Sequence, residues 1–185
     1  MRIIGGAARG LHLAPVGAGD AAAHLRPTSD RVRESIFNLL INGGYGNPVP
    51  GARVLDLFAG TGALGLEALS RGAAHATFID DGAAALKLIR ANIALMRHPD
   101  CTVVRRNATA PGTNTAAAFS LIFLDPPYGK SLGEAALRAC ATAGWFAPGA
   151  LIVWEESTAP AVPAGFETLD QRKYGATLVT LVRGA

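Results

Sequence analysis

Cysteine is scarce in this sequence: Cys101 and Cys140 are the only two among 185 residues. Two cysteines make neither a disulfide framework nor a zinc spacing. His12, His24, His75 and His98 show no metal-ligand spacing either, so no metal is expected. Aromatic residues are 6% and charged residues 17%, while 50% count as hydrophobic and 36 residues are alanine. That composition excludes wholesale disorder and implies a core built of small side chains. Long hydrophobic runs are missing as well. A charge-free stretch as long as any in the chain, Asn107 to Leu124, includes Asn, Thr, Pro and Gly, and its apolar part is too short to cross a bilayer. The opening Met-Arg-Ile-Ile-Gly-Gly lacks the apolar stretch of a signal peptide. The expectation is a soluble, cytoplasmic, monomeric protein of one domain plus a modest appendage.

The net charge of +3 is unevenly placed. Residues 1–33 carry Arg2, Arg9, Arg26, Arg31 and Arg33 against Asp20 and Asp30, and the rest of the chain sums to zero. The whole excess therefore sits at the N-terminus, and every basic residue there is arginine, whose planar fork grips phosphate in a bidentate way. Two readings stand side by side: a nucleic-acid contact arm, or a solvated surface segment.

Residues 1–13 read as a short hairpin punctuated by Gly5-Gly6 and Gly10, and residues 14–25 as a Gly/Ala-rich loop. Ser29 or Asp30 can cap a helix in which Val32, Ile36, Leu39 and Leu40 share a face. Asn42-Gly43-Gly44 ends it, which places an arm at about residues 1–50 and a main domain at 51–185. From Arg53 onward, apolar runs at 54–58, 76–79, 102–104 and 121–124 read as buried strands, with helices at about 63–71, 83–97 and 132–143. That alternation predicts a doubly wound parallel sheet with helices on both faces. Strands at 151–154, 166–171 and 176–183 follow, the last two joined by a Lys173-Tyr174-Gly175 turn and hence antiparallel.

The first strand runs into Asp56-Leu57-Phe58-Ala59-Gly60-Thr61-Gly62-Ala63-Leu64-Gly65. Residues 60–65 match G-x-G-x-x-G in its strand–turn–helix setting, and Asp80 follows Gly60 at the offset of about 20 residues expected for a ribose-binding acid. Such a crevice takes NAD, FAD or S-adenosylmethionine. Asp56 discriminates, because a carboxylate sits badly beside a pyrophosphate and well beside a cationic amino group. Asn107-Ala108, after the third strand, are candidates for contact with adenine through side-chain or backbone groups.

The most specific signal is Asp125-Pro126-Pro127-Tyr128-Gly129 at the end of the fourth strand. Consecutive prolines remove two donors and stiffen the loop, leaving carbonyl acceptors and a carboxylate. Methylation of an exocyclic base amine needs this arrangement. Its lone pair is delocalised into the ring, and acceptors on its two hydrogens favour a pyramidal nitrogen. Tyr128 offers a face to hold a base swung out of its stack. A cysteine nucleophile is not expected: Cys101 and Cys140 read as small core residues, as do Trp145 and Trp154.

These residues resemble the RsmD family of ribosomal RNA guanine-N2 methyltransferases over nearly the whole chain. The likeness rests on the opening RIIGG, on LRPTSDRVRESIFN at residues 25–38, on LDLFAGTGALGLEALSRGA at 55–73 and on DPPYG at 125–129. The resemblance implies a Rossmann-like class I methyltransferase fold: a doubly wound, mostly parallel seven-stranded sheet ending in an antiparallel hairpin, with a small N-terminal hairpin-plus-helix extension. It implies S-adenosylmethionine as cofactor, bound by Asp56, Phe58, Ala59, Gly60, Thr61 and Gly62, by Asp80 or Asp81, and by Asn107 and Ala108. It implies that Asp125, Pro126, Pro127 and Tyr128 act at a guanine N2 of 16S rRNA, within the small ribosomal subunit or its assembly intermediate. Arg26, Pro27 and Thr28 would face the target nucleotide or RNA backbone, with Arg2, Arg9, Arg31 and Arg33 on the same arm. The family usually has Glu where this chain has Asp80, and often an acid where it has Asn107. Open alternatives at this point are the same chemistry on another RNA base or on DNA adenine N6, a nucleotide-binding dehydrogenase, and a non-catalytic RNA-binding module.

Overall fold

In a computed structural model, residues 1–16, 29–98 and 100–184 are described. Seven strands form one sheet in the order β3-β2-β1-β4-β5-β7-β6. They are β1 (Arg53–Leu57), β2 (His75–Asp80), β3 (Cys101–Arg105), β4 (Phe119–Leu124), β5 (Phe146–Glu156), β6 (Phe166–Tyr174) and β7 (Thr177–Gly184). The first five are mutually parallel, and β7 pairs antiparallel with both β5 and β6. The helices are α1 (Asp30–Asn42), α2 (Ala63–Ser70), α3 (Ala83–Met96) and α4 (Leu132–Thr142).

Alternation along the strands divides the core into two. Val54, Leu121, Phe123, Val153 and Leu181 face one side, where they meet residues of α1, α2 and α3 such as Phe37, Leu66 and Ile89. Leu55, Leu57, Ile122, Leu124 and Ile152 face the other, with Leu137 of α4 and the two tryptophans, Trp145 and Trp154. Among the described residues, α4 is the single helix contributing to that second face. The N-terminal extension joins the first side: Ile3, Leu13, Ile36 and Leu40 belong to the same packed cluster as Val54. The boundary placed near residue 50 therefore separates segments that share one core.

Three local differences from the sequence reading have physical causes. Helix α1 is capped by Ser29, whose hydroxyl accepts from Val32 N at 3.2 Å, but it buries Arg33, Ile36, Phe37 and Leu40. The buried face is rotated relative to the aliphatic stripe because Arg33 finds carboxylate partners inside. Strand β5 begins at Phe146 rather than near Leu151, because its start pairs with Phe119 before a register shift absorbs Pro148-Gly149. The final hairpin is tighter than the predicted Lys173-Tyr174-Gly175 turn. Tyr174 pairs with Thr177, so only Gly175-Ala176 make the turn, with Gly175 at φ +62°.

Candidate active site

The strand order reverses between β1 and β4: β1 continues through α2 to β2 on one side, and β4 lies on the other. In doubly wound sheets a ligand crevice opens at such a switch point, beyond the carboxyl ends of the strands. Leu57 pairs with Leu124 as the last rung between these two strands. The next residues are Phe58, which opens the glycine loop, and Asp125, which opens DPPYG. The Asp125 N–H still reaches Leu57 O at 3.5 Å. The two most informative segments of the sequence are thus neighbours, separated by about one strand spacing of ~4.8 Å.

The loop between β1 and α2 is strained where it turns. Phe58 has φ +57°, uncommon for a residue with a Cβ, and Gly60 and Gly62 have φ +56° and +75°. At Gly65 the requirement is space: an added Cβ would overlap the Phe78 ring. The helix thereby lies close against β2. Asp80 braces the loop from the end of β2, with Oδ2 accepting from Gly60 N at 2.9 Å and Oδ1 from Gly82 N at 2.8 Å. It is partly exposed, and Asp81 beside it is exposed. Asp56 is only 2% exposed and sits beneath the loop, its Oδ2 accepting from Gly65 N at 2.9 Å. Burial pushes its carboxyl well above the ordinary range; the Gly65 N–H opposes this, and Asp125 and Asp80 add to it. Three carboxyl groups thus converge around the crevice, and residues 56–65 contain no basic side chain.

Thr61 and Ala59 are buried, and Phe58 is half-buried. Asn107 is exposed, and its Oδ1 accepts from Thr109 N at 2.8 Å and Thr109 Oγ1 at 2.7 Å, while Ala108 is buried behind it. Of that pair, the Asn107 amide nitrogen faces no partner among these contacts.

On the β4 side, Pro126 is buried, and Asp125, Pro127 and Tyr128 are half-buried. The loop is tied to β5 by Glu156, whose Oε1 accepts from Gly129 N at 3.1 Å. It is tied to β7 through Tyr128 Oη and Thr177 Oγ1, 3.3 Å apart. Burial pushes the Tyr128 phenol up to about 12, helped by Asp125, Glu155 and Glu156. It remains a neutral hydroxyl at physiological pH. Both thiols are also pushed up by burial, Cys101 to about 11 and Cys140 to about 12, so neither is poised as a nucleophile.

The arginines divide. Arg2, Arg9 and Arg31 are exposed. Arg33, expected on the RNA-facing arm, is instead fully buried. Its guanidinium lies 2.8 Å from Asp30 Oδ1 and 3.6 Å from Glu67 Oε2, and it also donates to the Arg2 carbonyl. This corrects its assignment to RNA contact: a side chain with no solvent access braces the fold. Arg26, Pro27 and Thr28 lie outside the described residues.

Sequence reasoning missed the polar side chains that attach the extension to the site. Glu67, fully buried, accepts from Ile4 N and Gly5 N at 2.8 Å each and from Arg71 Nε at 2.7 Å. Ser70 Oγ accepts from Ala8 N at 2.9 Å and donates to Gly5 O at 2.6 Å. Asn92, also fully buried, donates to Thr61 O at 2.8 Å and accepts from Ala14 N at 2.7 Å. The available signal was a lone acid or amide on an otherwise apolar helix face, because such a group needs partners when buried.

Comparison with known proteins agrees with this arrangement. The family model described as Conserved hypothetical protein 95 matches residues 1–183. Ribosomal RNA small subunit methyltransferase D of Escherichia coli (strain K12) is 42% identical over 170 residues, covering 90% of this chain and 81% of that protein. The putative rRNA methyltransferase YlbH of Bacillus subtilis (strain 168) is 42% identical over 132 residues, covering 69% and 67%. The solved structure of the putative methyltransferase yhhF from Escherichia coli superposes with a TM-score of 0.81 at 38% identity, covering 100% of this chain and 97% of that one. With two motifs brought to adjacent strand ends and a family match along nearly its full length, the chain belongs to the Conserved hypothetical protein 95 family, the RsmD family of rRNA methyltransferases.

Proposed function

We propose that this chain transfers a methyl group from S-adenosylmethionine to the exocyclic N2 of one guanine in 16S rRNA. Its substrate on this reading is the small ribosomal subunit or its assembly intermediate, met by a monomer in the cytoplasm. Among the described residues no helix is long and apolar enough to cross a membrane. The observation that carries the proposal is the adjacency of Phe58 and Asp125 beyond the Leu57–Leu124 rung. The name of the Escherichia coli relative, which refers to the ribosomal small subunit, supports the substrate.

S-Adenosylmethionine, when bound, supplies an electrophilic methyl group on a sulfonium and carries a cationic amino group. The donor set of the crevice suits that chemistry. Asp125 and Asp80 both add to the upward push on the Asp56 carboxyl, so negative charge gathers at the crevice, which favours a cation and repels a pyrophosphate. Phe58, Ala59, Gly60, Thr61 and Gly62 would line the cofactor. Asp80 retains lone pairs beyond its two backbone bonds for ribose hydroxyls, with Asp81 beside it. The Asn107 amide and Ala108 backbone would meet the adenine.

On the substrate side, Asp125 and the Pro126 carbonyl accept the two amine hydrogens and turn the nitrogen lone pair toward the methyl donor. Asp125 also stabilises the positive charge that develops on the nitrogen. Tyr128 presents its ring to the extruded guanine, and Pro127 keeps the loop from relaxing. Arg2, Arg9 and Arg31 contribute phosphate contacts from the extension.

Labelled methyl incorporation into small subunits from cells lacking the protein tests this, with the product mapped by mass. Asp125→Ala should lower the rate by about 10²–10³-fold, as for loss of one preorganised acceptor, while cofactor binding in calorimetry persists. Full activity in that variant would remove Asp125 from the chemistry. A methyl group found on another RNA base or on DNA adenine N6 would replace the substrate assignment.

A further inference from the structure

Two open grooves border α1. One, of about 390 Å³, lies against Arg2, Arg9, Arg31, Asp30 and Glu34. The other, of about 660 Å³, runs between the first turn of α1 and the tip of the β6–β7 hairpin, lined by Ser29, Arg31, Ser35, Lys173, Tyr174 and Thr177. Arg31 lines both, so they meet at its side chain. We propose that the α1–hairpin groove holds the RNA backbone flanking the target base, with phosphate oxygens on Arg31 and Lys173. The proposal rests on the rRNA reading given above, and it adds the β6–β7 hairpin to the substrate surface.

Thr177 lines the second groove, and the same side chain lies 3.3 Å from the Tyr128 hydroxyl. A strand lying in the groove therefore passes next to the residue proposed to hold the extruded base. The walls supply the charge. Arg31 and Lys173 are exposed, and among the described residues neither makes an ion pair. Among the described residues, no carboxylate lines this second groove. Of the two acids that adjoin lining residues, Asp30 is held by Arg33 at 2.8 Å and approached by Arg2 at 4.0 Å, and Glu34 lines the first groove. Ser29, Ser35 and Tyr174 add hydroxyl groups of the kind that bind phosphate and ribose. The tight turn puts these groups in reach. Because β6 extends through Tyr174, Lys173 and Tyr174 are fixed by ladder pairing with Leu178 and Thr177 instead of moving in a loop. A cation carried on a fixed backbone loses less freedom on meeting a phosphate than one on a mobile loop.

Glu34 in the first groove opposes an anion, so the first groove alone makes a poorer RNA surface. Among the described residues, the second groove is the one whose lining cations face no lining carboxylate, and its Thr177 touches Tyr128.

The test uses the full protein, a 16S rRNA fragment and intact small subunits. Lys173→Ala and Arg31→Ala should each reduce the slope of log K against log salt by about 1. Each should raise KM for small subunits several-fold and leave kcat and S-adenosylmethionine affinity near wild type. Unchanged melting temperatures establish that these exposed substitutions leave the fold intact. Unaltered slope and KM in both variants, with a wild type that methylates small subunits, would overturn the groove assignment and leave the function standing. A KM change on small subunits with an unchanged slope on the isolated rRNA assigns the groove to a ribosomal protein and also overturns it. Reduced slopes with a wild type that transfers no methyl group to rRNA would keep the groove and remove the proposed reaction.

Discussion

Asn92 of α3 donates its side-chain amide to the carbonyl of Thr61 at 2.8 Å. Its oxygen accepts from Ala14 N at 2.7 Å, so one buried side chain ties the glycine loop to the N-terminal extension. Asn92→Ala would leave the Thr61 carbonyl and the Ala14 N–H without their partner. We expect a loss of about 2–3 kcal/mol in stability, since each orphaned buried group costs ~1–3 kcal/mol. Cofactor affinity should fall with it, because the loop carbonyl is then free to move. Denaturant titration and calorimetry check the two effects. A stable variant with unchanged cofactor affinity would show that the bond is redundant.

Asp56 gives the stability a pH dependence of unusual sign. Its folded carboxyl is raised well above the ordinary value by burial, whereas in the unfolded chain it titrates near ~3.9. Between those two values the unfolded state has released the proton and the folded state still holds it. This group's contribution to stability therefore declines as pH rises through that window. Other carboxylates act in their own ways, so the readout is a difference. The stability of Asp56→Asn relative to wild type should increase from about pH 4 upward until the folded Asp56 ionises. A difference that stays flat across that range would mean that Asp56 ionises as an ordinary carboxylate.

Much of the site was legible because its signals are local. Val54–Leu57 and Leu121–Leu124 are short apolar runs buried on both faces, and each ends in a segment whose composition states its chemistry. The alternation of strands and helices predicts a parallel sheet, whereas the β1–β4 adjacency is a matter of strand order that alternation alone leaves open. What could not be read are bonds between distant segments. Glu67 meets Ile4 across 63 residues, and Tyr128 meets Thr177 across 49. Arg33 shows the same difficulty in another form. On an arm rich in arginine it reads as one more surface cation, and only the rotation of α1 that buries Phe37 carries it to Glu67. The tip of the last hairpin was misplaced by one step because Lys173 and Tyr174 are polar enough to suit a turn, while cross-strand pairing keeps them in β6.

Thr177 should act as a positioning residue for Tyr128. Thr177→Val keeps the shape and removes the hydroxyl 3.3 Å from the phenol. We expect kcat to fall several-fold, with cofactor affinity unchanged and no loss of the hairpin's cross-strand pairing. Because the Tyr128 phenol is pushed up to about 12, the wild-type rate should show no break from this tyrosine near its ordinary value of 10.0. An ionisation near that ordinary value that disappears in Tyr128→Phe would contradict the buried, neutral phenol.

Arg33 and Arg31 differ by two positions and should fail in different ways. Arg33 is fully buried beside Glu67, which is also fully buried and shared with Arg71 at 2.7 Å. The Arg71 guanidinium in turn stacks 4.8 Å from the Phe37 ring centroid, so the ion cluster locks α1 to α2. Removing one member of a buried pair costs about 3–5 kcal/mol, a large part of the ~5–15 kcal/mol by which a domain is stable. Arg33→Ala should therefore unfold at much lower denaturant. Arg33→Lys, which keeps the charge without the planar fork, should fall between that variant and wild type. At temperatures where Arg33→Lys stays folded, the salt slope of its RNA binding should match wild type, because this guanidinium meets no phosphate. Near-normal stability in Arg33→Ala together with a reduced salt slope would return Arg33 to the RNA surface and break the link between the extension and α2.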